Sequence, residues 1–168
     1  GTFGASALVM SLLGKFLLLS QLSEGFLAGE FLPLSPWEKT DPLSTICIIW
    51  IIAYTLSRAV AATLIFDTPY VSELSSSKSK PLAAKQSAGE LLFIIISALL
   101  PCLLVKLPIV CALIICASVF RTLFKRWLSA KLGGFTGDCL GAAQQLMELL
   151  IYLLLLTLLN PASVVAIS

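Results

Sequence analysis

The chain has 168 residues, 58% of them hydrophobic and only 12% charged, whereas a soluble domain carries about twice that charge share. A net charge of +2 is too small to argue for a nucleic-acid partner, and the absence of histidine removes His-based acid–base chemistry, Ser-His-Asp triads and His-containing zinc sites. The composition reads as an integral membrane protein, in which any metal is held mainly by carboxylates and is a hard ion such as Mg2+.

The chain opens on GTFG, with no initiator Met and no basic flank before the first apolar run. No signal-peptide pattern is present, and the sequence reads as a fragment or a processed piece. Five candidate spans follow. The first is GASALVMSLLGKFLLLSQL (4–22) and the second is LSTICIIWIIAYTLSRAVAATLIF (43–66). The third, GELLFIIISALLPCLLV (89–105), carries Pro101 near its end, where a kink is expected. The fourth, LPIVCALIICASVF (107–120), is short and follows directly after Lys106, so these two spans form a hairpin with Lys106 and Pro108 in its turn. The fifth runs over roughly 139–160 and is closed by Asn160-Pro161. The expected fold is an all-α, polytopic transmembrane helix bundle of about five spans, one domain over 1–168. Five cysteines, an odd number without a CxxC pair, read as small hydrophobes in helices.

The connecting segments alternate in charge. Segment 23–42 carries Glu24, Glu30, Glu38 and Asp41 against Lys39. Segment 67–88 carries Lys78, Lys80 and Lys85, and segment 121–138 carries Arg121, Lys125, Arg126 and Lys131. The positive-inside rule then puts 67–88, 121–138 and Gly1 in the cytoplasm, and 23–42 and Ser168 outside. FRTLFKRWLSAK (120–131) alternates bases with Phe124, Trp127 and Leu128 and reads as an interfacial helix on the inner leaflet. The Lys78/Lys80/Lys85 segment has two readings, positive-inside charge or phosphate binding.

Polar residues enter the spans where anchoring alone does not need them. Thr136, Gly137 and Asp138 lie at the cytoplasmic mouth of the fifth span, and Glu148 is about 15 Å further along it. Asp138, Gln145 and Glu148 are spaced by 7 and 3 and share one helical face. A carboxylate facing lipid costs at least a few kcal/mol, so this stripe faces protein or a wet cavity. Asp138 either caps the helix or lines that cavity. Glu148 either pairs with a buried cation or lines it as well. Arg58, about two turns from the cytoplasmic end of the second span, and Lys15, in the middle of the first, either snorkel to the interface or hold an anion. Gly133, Gly134 and Gly137 permit close backbone approach before a helix N-terminus, a setting that suits an anion.

LGGFTGDCLGAAQQLMEL (132–149) resembles the C-terminal signature of the cobalamin synthase family, GG-x-TGD-x-LGA followed by Glu. GTFGASAL resembles the family segment that follows an Asp-Ser-Arg-Ile-like stretch, LSRAVAA (56–62) is similar to its intramembrane Ser-Arg helix, and SKSKPLA (77–83) to the loop after it. The resemblance covers nearly the whole chain in consistent order. It implies a membrane transferase joining adenosylcobinamide-GDP to α-ribazole or its 5′-phosphate with release of GMP, with Mg2+ as cofactor. It also implies a bacterial or archaeal inner membrane, with the active face toward the cytoplasm. Carried over, Asp138 and Glu148 become candidate catalytic groups, with Asp138 the candidate metal ligand. Arg58, Lys15, Gln145, Lys78 and Lys80 become candidate substrate contacts, and Gly134, Thr136 and Gly137 shape the mouth. The partners implied are the corrinoid nucleotide, α-ribazole and the lipid bilayer, with a homo-oligomer left open.

The family's acidic D-G-x-A-D-x-x-D-G motif lies upstream of the segment that GTFG resembles and is absent from these residues. The chain is therefore expected to be the C-terminal two-thirds of the family domain and not to turn over by itself. Two other readings stay open: a phosphotransferase acting on another alcohol, and a non-catalytic carrier that uses Arg58 and Glu148 to bind an anion.

Overall fold

A bilayer offers no partner for backbone N–H and C=O groups, so apolar runs of spanning length satisfy them internally as helices. The computed structural model describes residues 2–36, 41–71 and 86–161. Five α-helices occur among them: α1 (Thr2–Leu27), α2 (Pro42–Asp67), α3 (Ala88–Leu99), α4 (Leu107–Leu132) and α5 (Gly137–Leu159). Four are long and apolar enough to cross a membrane, and the shorter apolar Ala88–Leu104 segment is the third of the five expected runs. The polytopic helical bundle is the observed fold.

Local chemistry sets the ends. Ser87 and Glu90 form a reciprocal capping box at the start of α3. Pro101 lies where α3 gives way to a 3-10 turn, Leu100–Leu104. A residue without N–H cannot continue the α ladder, so the expected kink takes the form of a tightened last turn. Lys106 and Pro108 occupy the start of α4, as the hairpin reading requires.

The fourth span differs from expectation. Residues 107–120 and the supposed interfacial segment 120–131 form one uninterrupted helix of 26 residues. No Gly or Pro occurs between Pro108 and Gly133 to break it. At about 39 Å it exceeds the ~30 Å hydrocarbon core, so its basic end projects past the apolar layer. Gly133, with φ +71°, ends it in the left-handed conformation.

Helix α2 is the centre and packs against α1, α3, α4 and α5. In its most apolar window 56% of residues are buried, against 6% for α1, most of which the other described helices leave uncovered. Ile49, Ile52 and Leu56 of α2 meet Leu113 of α4 and Met147 and Ile151 of α5 in one core. The five cysteines are free thiols, as read from the sequence.

Each end of the bundle is closed by backbone. At one end Leu32 N–H donates to the Leu159 carbonyl at 3.0 Å, and Lys106 N–H donates to the Leu34 carbonyl at 3.0 Å. At the other, the segment leaving α2 meets the α4–α5 turn in an isolated parallel bridge between Tyr70 and Phe135. Val71 N–H donates to the Phe135 carbonyl and Phe135 N–H to the Pro69 carbonyl, both at 2.9 Å. Gly134 makes this possible, because a Cβ there would lie 2.2 Å from the Pro69 carbonyl oxygen. Gly134→Ala is expected to break both bonds and lower stability by about 1–3 kcal/mol. Gly141→Ala, whose Cβ would meet nothing within 4 Å, is expected to leave stability unchanged or slightly raised. Thermal unfolding of the two variants in detergent is the check.

Candidate functional site

The N-terminus of α5 is built by Thr136, whose extended backbone makes it the N-cap and whose hydroxyl accepts from Cys139 N–H at 3.4 Å. The cap position is therefore filled, and Asp138 is not the cap. Its carboxylate sits in the first turn, exposed, near the positive end of the helix dipole. Among the described residues it has no hydrogen bond or ion pair.

Asp138 lines a groove of about 900 Å³ between α1 and α5. Small residues open this space: Gly4, Ala5 and Ala7 on α1 face Gly137, Gly141 and Ala142 on α5. Deeper in, Ser11 Oγ donates to Gln145 Oε1 at 3.3 Å, and both residues line the same groove. A second, shallower groove of about 550 Å³ runs between α4 and α5, lined by Phe124, Trp127, Asp138, Cys139, Ala142 and Leu146. Asp138 thus stands on the rim of both.

Glu148 has a different setting. It is buried, 2.5 Å from Lys15 Nζ, and accepts from Ser57 Oγ at 3.4 Å. This ties α5 to α1 and α2 at one depth. Of the two carboxylates expected in the cavity, Asp138 alone lines the groove. Glu148 lies below it because Lys15, on the neighbouring helix, supplies the counter-charge that burial demands. The shared face of Asp138, Gln145 and Glu148 is real, but it runs from an open mouth into a closed ion pair.

The contact of Ser57 with Glu148 puts Arg58 at the depth read from the sequence, though turned away. Its guanidinium lies over the Tyr54 ring, 3.2 Å from the centroid, and donates to the Tyr54 carbonyl at 3.5 Å. No carboxylate pairs with it among the described residues. Gly134 acts at the mouth through the bridge to Pro69, and Gly137 opens α5 beside the groove. Lys78 and Lys80 lie outside the described residues.

A charge cluster that the sequence reading missed joins α2 to α4. Arg121 and Lys125 both bond Oδ2 of Asp67, Lys125 at 2.8 Å, and Arg121 Nε donates to Thr63 Oγ1 at 2.9 Å. Asp67 was hidden because the positive-inside rule counts only bases, while the bases of 121–131 were read as facing lipid headgroups. The available signal was spacing: Arg121 and Lys125, at i and i+4, share a helix face on which one acid of the adjoining α2 end can meet both.

No group of three or more Cys, Asp or Glu that could hold a metal occurs among the described residues. Asp138 offers one oxygen ligand site by itself, so these residues do not make a Mg2+ site as a set.

Fold and site together define a polytopic helical membrane protein with a buried ion pair beneath a groove that carries Asp138, Ser11 and Gln145. A family model described as Cobalamin-5-phosphate synthase matches residues 1–156, and the chain belongs to that family. Curated relatives carry the name Adenosylcobinamide-GDP ribazoletransferase. The one from Vibrio cholerae serotype O1 (strain ATCC 39541 / Classical Ogawa 395 / O395) is 48% identical over 95% of this chain and 54% of its own length. Those from Vibrio parahaemolyticus and Shewanella amazonensis are 46% and 40% identical, over 93% and 94% of this chain and 52% and 55% of their own. The chain therefore spans about half the length of the curated relatives it matches, less than the two-thirds expected. No solved structure matches it significantly.

Removing one partner of a buried pair leaves the other charge uncompensated. Lys15→Met or Glu148→Leu alone is expected to cost about 3 kcal/mol. The double variant should recover most of that loss, as read by a thermal-unfolding double-mutant cycle.

Proposed function

We propose that the full-length protein is a membrane transferase that joins adenosylcobinamide-GDP to α-ribazole or its 5′-phosphate. GMP leaves, and adenosylcobalamin or its 5′-phosphate forms. Family membership supports the class, and the name shared by the relatives supports the reaction. The single structural observation behind it is Asp138: a carboxylate without a partner among the described residues, on the rim of a groove large enough for a substrate.

The reaction is phosphoryl transfer to an alcohol. A ribazole hydroxyl oxygen bonds to the cobinamide-side phosphorus, the bridging P–O bond to GMP breaks, and GMP departs with the electron pair. The hydroxyl proton needs an acceptor, and Asp138 is the group we assign to that role. Gln145, held by Ser11, offers its amide N–H groups deeper in the same groove for orienting substrate. Lys15, Glu148 and Ser57 hold the α1, α2 and α5 walls in register and act as positioning residues. Thr136 bears on the reaction through the α5 end it caps, and Arg58, stacked on Tyr54 within α2, stays a candidate substrate contact. Lys78 and Lys80 remain candidate substrate contacts on the segment that follows α2. Mg2+ belongs to the proposal as a cofactor: Asp138 would contribute one oxygen to it, and the ion would neutralise charge developing on the phosphates.

The charge distribution of the connecting segments supports an active face toward the cytoplasm of a bacterial inner membrane. Residues of the Asp138 mouth then meet soluble nucleotide directly. In the full-length protein reconstituted in liposomes, Asp138→Asn is expected to slow GMP release by about 10²-fold or more. Gln145→Ala should chiefly raise KM. A rate for Asp138→Asn close to wild type would remove Asp138 from the mechanism.

A further inference from the structure

The cluster on α2 and α4 carries more positive charge than its geometry needs. Arg121 and Lys125 converge on one carboxylate oxygen, and Thr63 takes Nε of the arginine. Oδ1 of Asp67 is itself engaged, accepting from the Thr68 hydroxyl at 3.4 Å. Among the described residues, two cations against one anion leave an excess of one positive charge. Among the described residues no second carboxylate pairs with either base, and Nη1 of Arg121 makes no hydrogen bond. Lys125 has further N–H donors beyond the one spent on Asp67.

A salt bridge serving only to join α2 to α4 requires one base. The second base, at the edge of an apolar layer, adds desolvation cost without adding a partner. The three side chains are between 28% and 36% exposed, so an anion can reach them. The donors left over, the Nη1 edge of a planar guanidinium and a compact ammonium one helical turn away, are the pair that suits tetrahedral oxyanions. One face further round α4, Phe124 and Trp127 line the groove whose opposite rim is Asp138.

We infer that Arg121 and Lys125 form a binding site for a phosphate group, with Asp67 competing with the ligand for the two bases. The identity of that phosphate as part of a guanosine nucleotide rests on the function proposed above; an anionic phospholipid headgroup presents the same chemistry from the bilayer. In either case the site binds through charge and N–H donors and takes no part in bond making.

Asp67→Asn separates this from a purely structural clamp, because the two roles predict opposite signs. Removing the competing carboxylate should tighten phosphate binding several-fold, whereas loss of a clamp should weaken it. Lys125→Gln keeps the Arg121–Asp67 pair and is expected to weaken binding about tenfold. The experiment titrates GDP against the full-length protein in nanodiscs of uncharged lipid, and in parallel measures thermal stabilisation by phosphatidylglycerol nanodiscs. GDP affinity that rises in Asp67→Asn and falls in Lys125→Gln establishes the nucleotide as source. Phosphatidylglycerol stabilisation that follows the same order, with GDP indifferent, establishes lipid. If neither responds to Lys125→Gln, or if Asp67→Asn weakens both, the site is a clamp and the inference is overturned. GMP release is assayed separately: a protein that binds GDP through Lys125 but releases no GMP leaves the site standing and removes the proposed reaction.

Discussion

The ion pair between Lys15 and Glu148 is the constraint from which the rest of the architecture follows. A lone charge inside a membrane is expensive, and so is a carboxylate facing lipid. Placing the two charges on different helices at one depth removes both problems only if α1 and α5 keep one rotation and one axial register. Ser57, donating to the same carboxylate, extends the restriction to α2. Apolar packing among leucines does not supply this specificity, since leucine faces other leucines and lipid tails about equally well. Glu148 therefore selects one arrangement of three helices from many that bury similar apolar area.

With that register set, the groove above it follows. Ser11 is one turn before Lys15 on α1, and Gln145 is three residues before Glu148 on α5, so fixing the ion pair brings Ser11 and Gln145 together. Further toward the mouth, glycine and alanine replace the leucines of the deeper interface, and the helices part around a space instead of filling it. The backbone bridge at Tyr70 and Phe135 then holds the entry to α5 against the exit of α2. Ion pair, polar pair and bridge thus brace α5 from its entry to its middle, and leave Asp138 the carboxylate on that segment without a partner among the described residues.

Much of this was legible in the sequence, for reasons that differ by element. The spans were readable because a bilayer sets a length threshold that composition either meets or does not. Asp138, Gln145 and Glu148 sharing a face follows from helical periodicity alone. What periodicity does not contain is the partner: nothing local to Glu148 says that Lys15 will meet it, nor that Arg58, at the same depth, will turn onto Tyr54. Charge alone divides α4 at residue 120, whereas helix continuity depends on backbone chemistry and no Gly or Pro there breaks it. Asp67 escaped for a related reason. Its role appears only when α4 runs on past residue 120 and carries Arg121 and Lys125 to it.

The two carboxylates of α5 show how one helix separates support from chemistry. They are ten residues and about 15 Å apart on one face. Glu148 is enclosed, its charge met by Lys15 and its remaining capacity partly met by Ser57, so it has little left for a substrate. Asp138 faces open space, its nearest favourable field being the helix dipole, and that dipole needs no side chain to turn toward it. A group already held in an ion pair must break contacts before it can take a proton or a ligand; a group stabilised by a fixed dipole need not. The same division separates Arg58, spent on Tyr54, from Lys125, which bonds one oxygen and keeps donors in reserve. Near the end where α2 leaves and α5 enters the apolar layer, Asp138 and Lys125 keep polar capacity in reserve, and the Lys15–Glu148 pair lies beneath them.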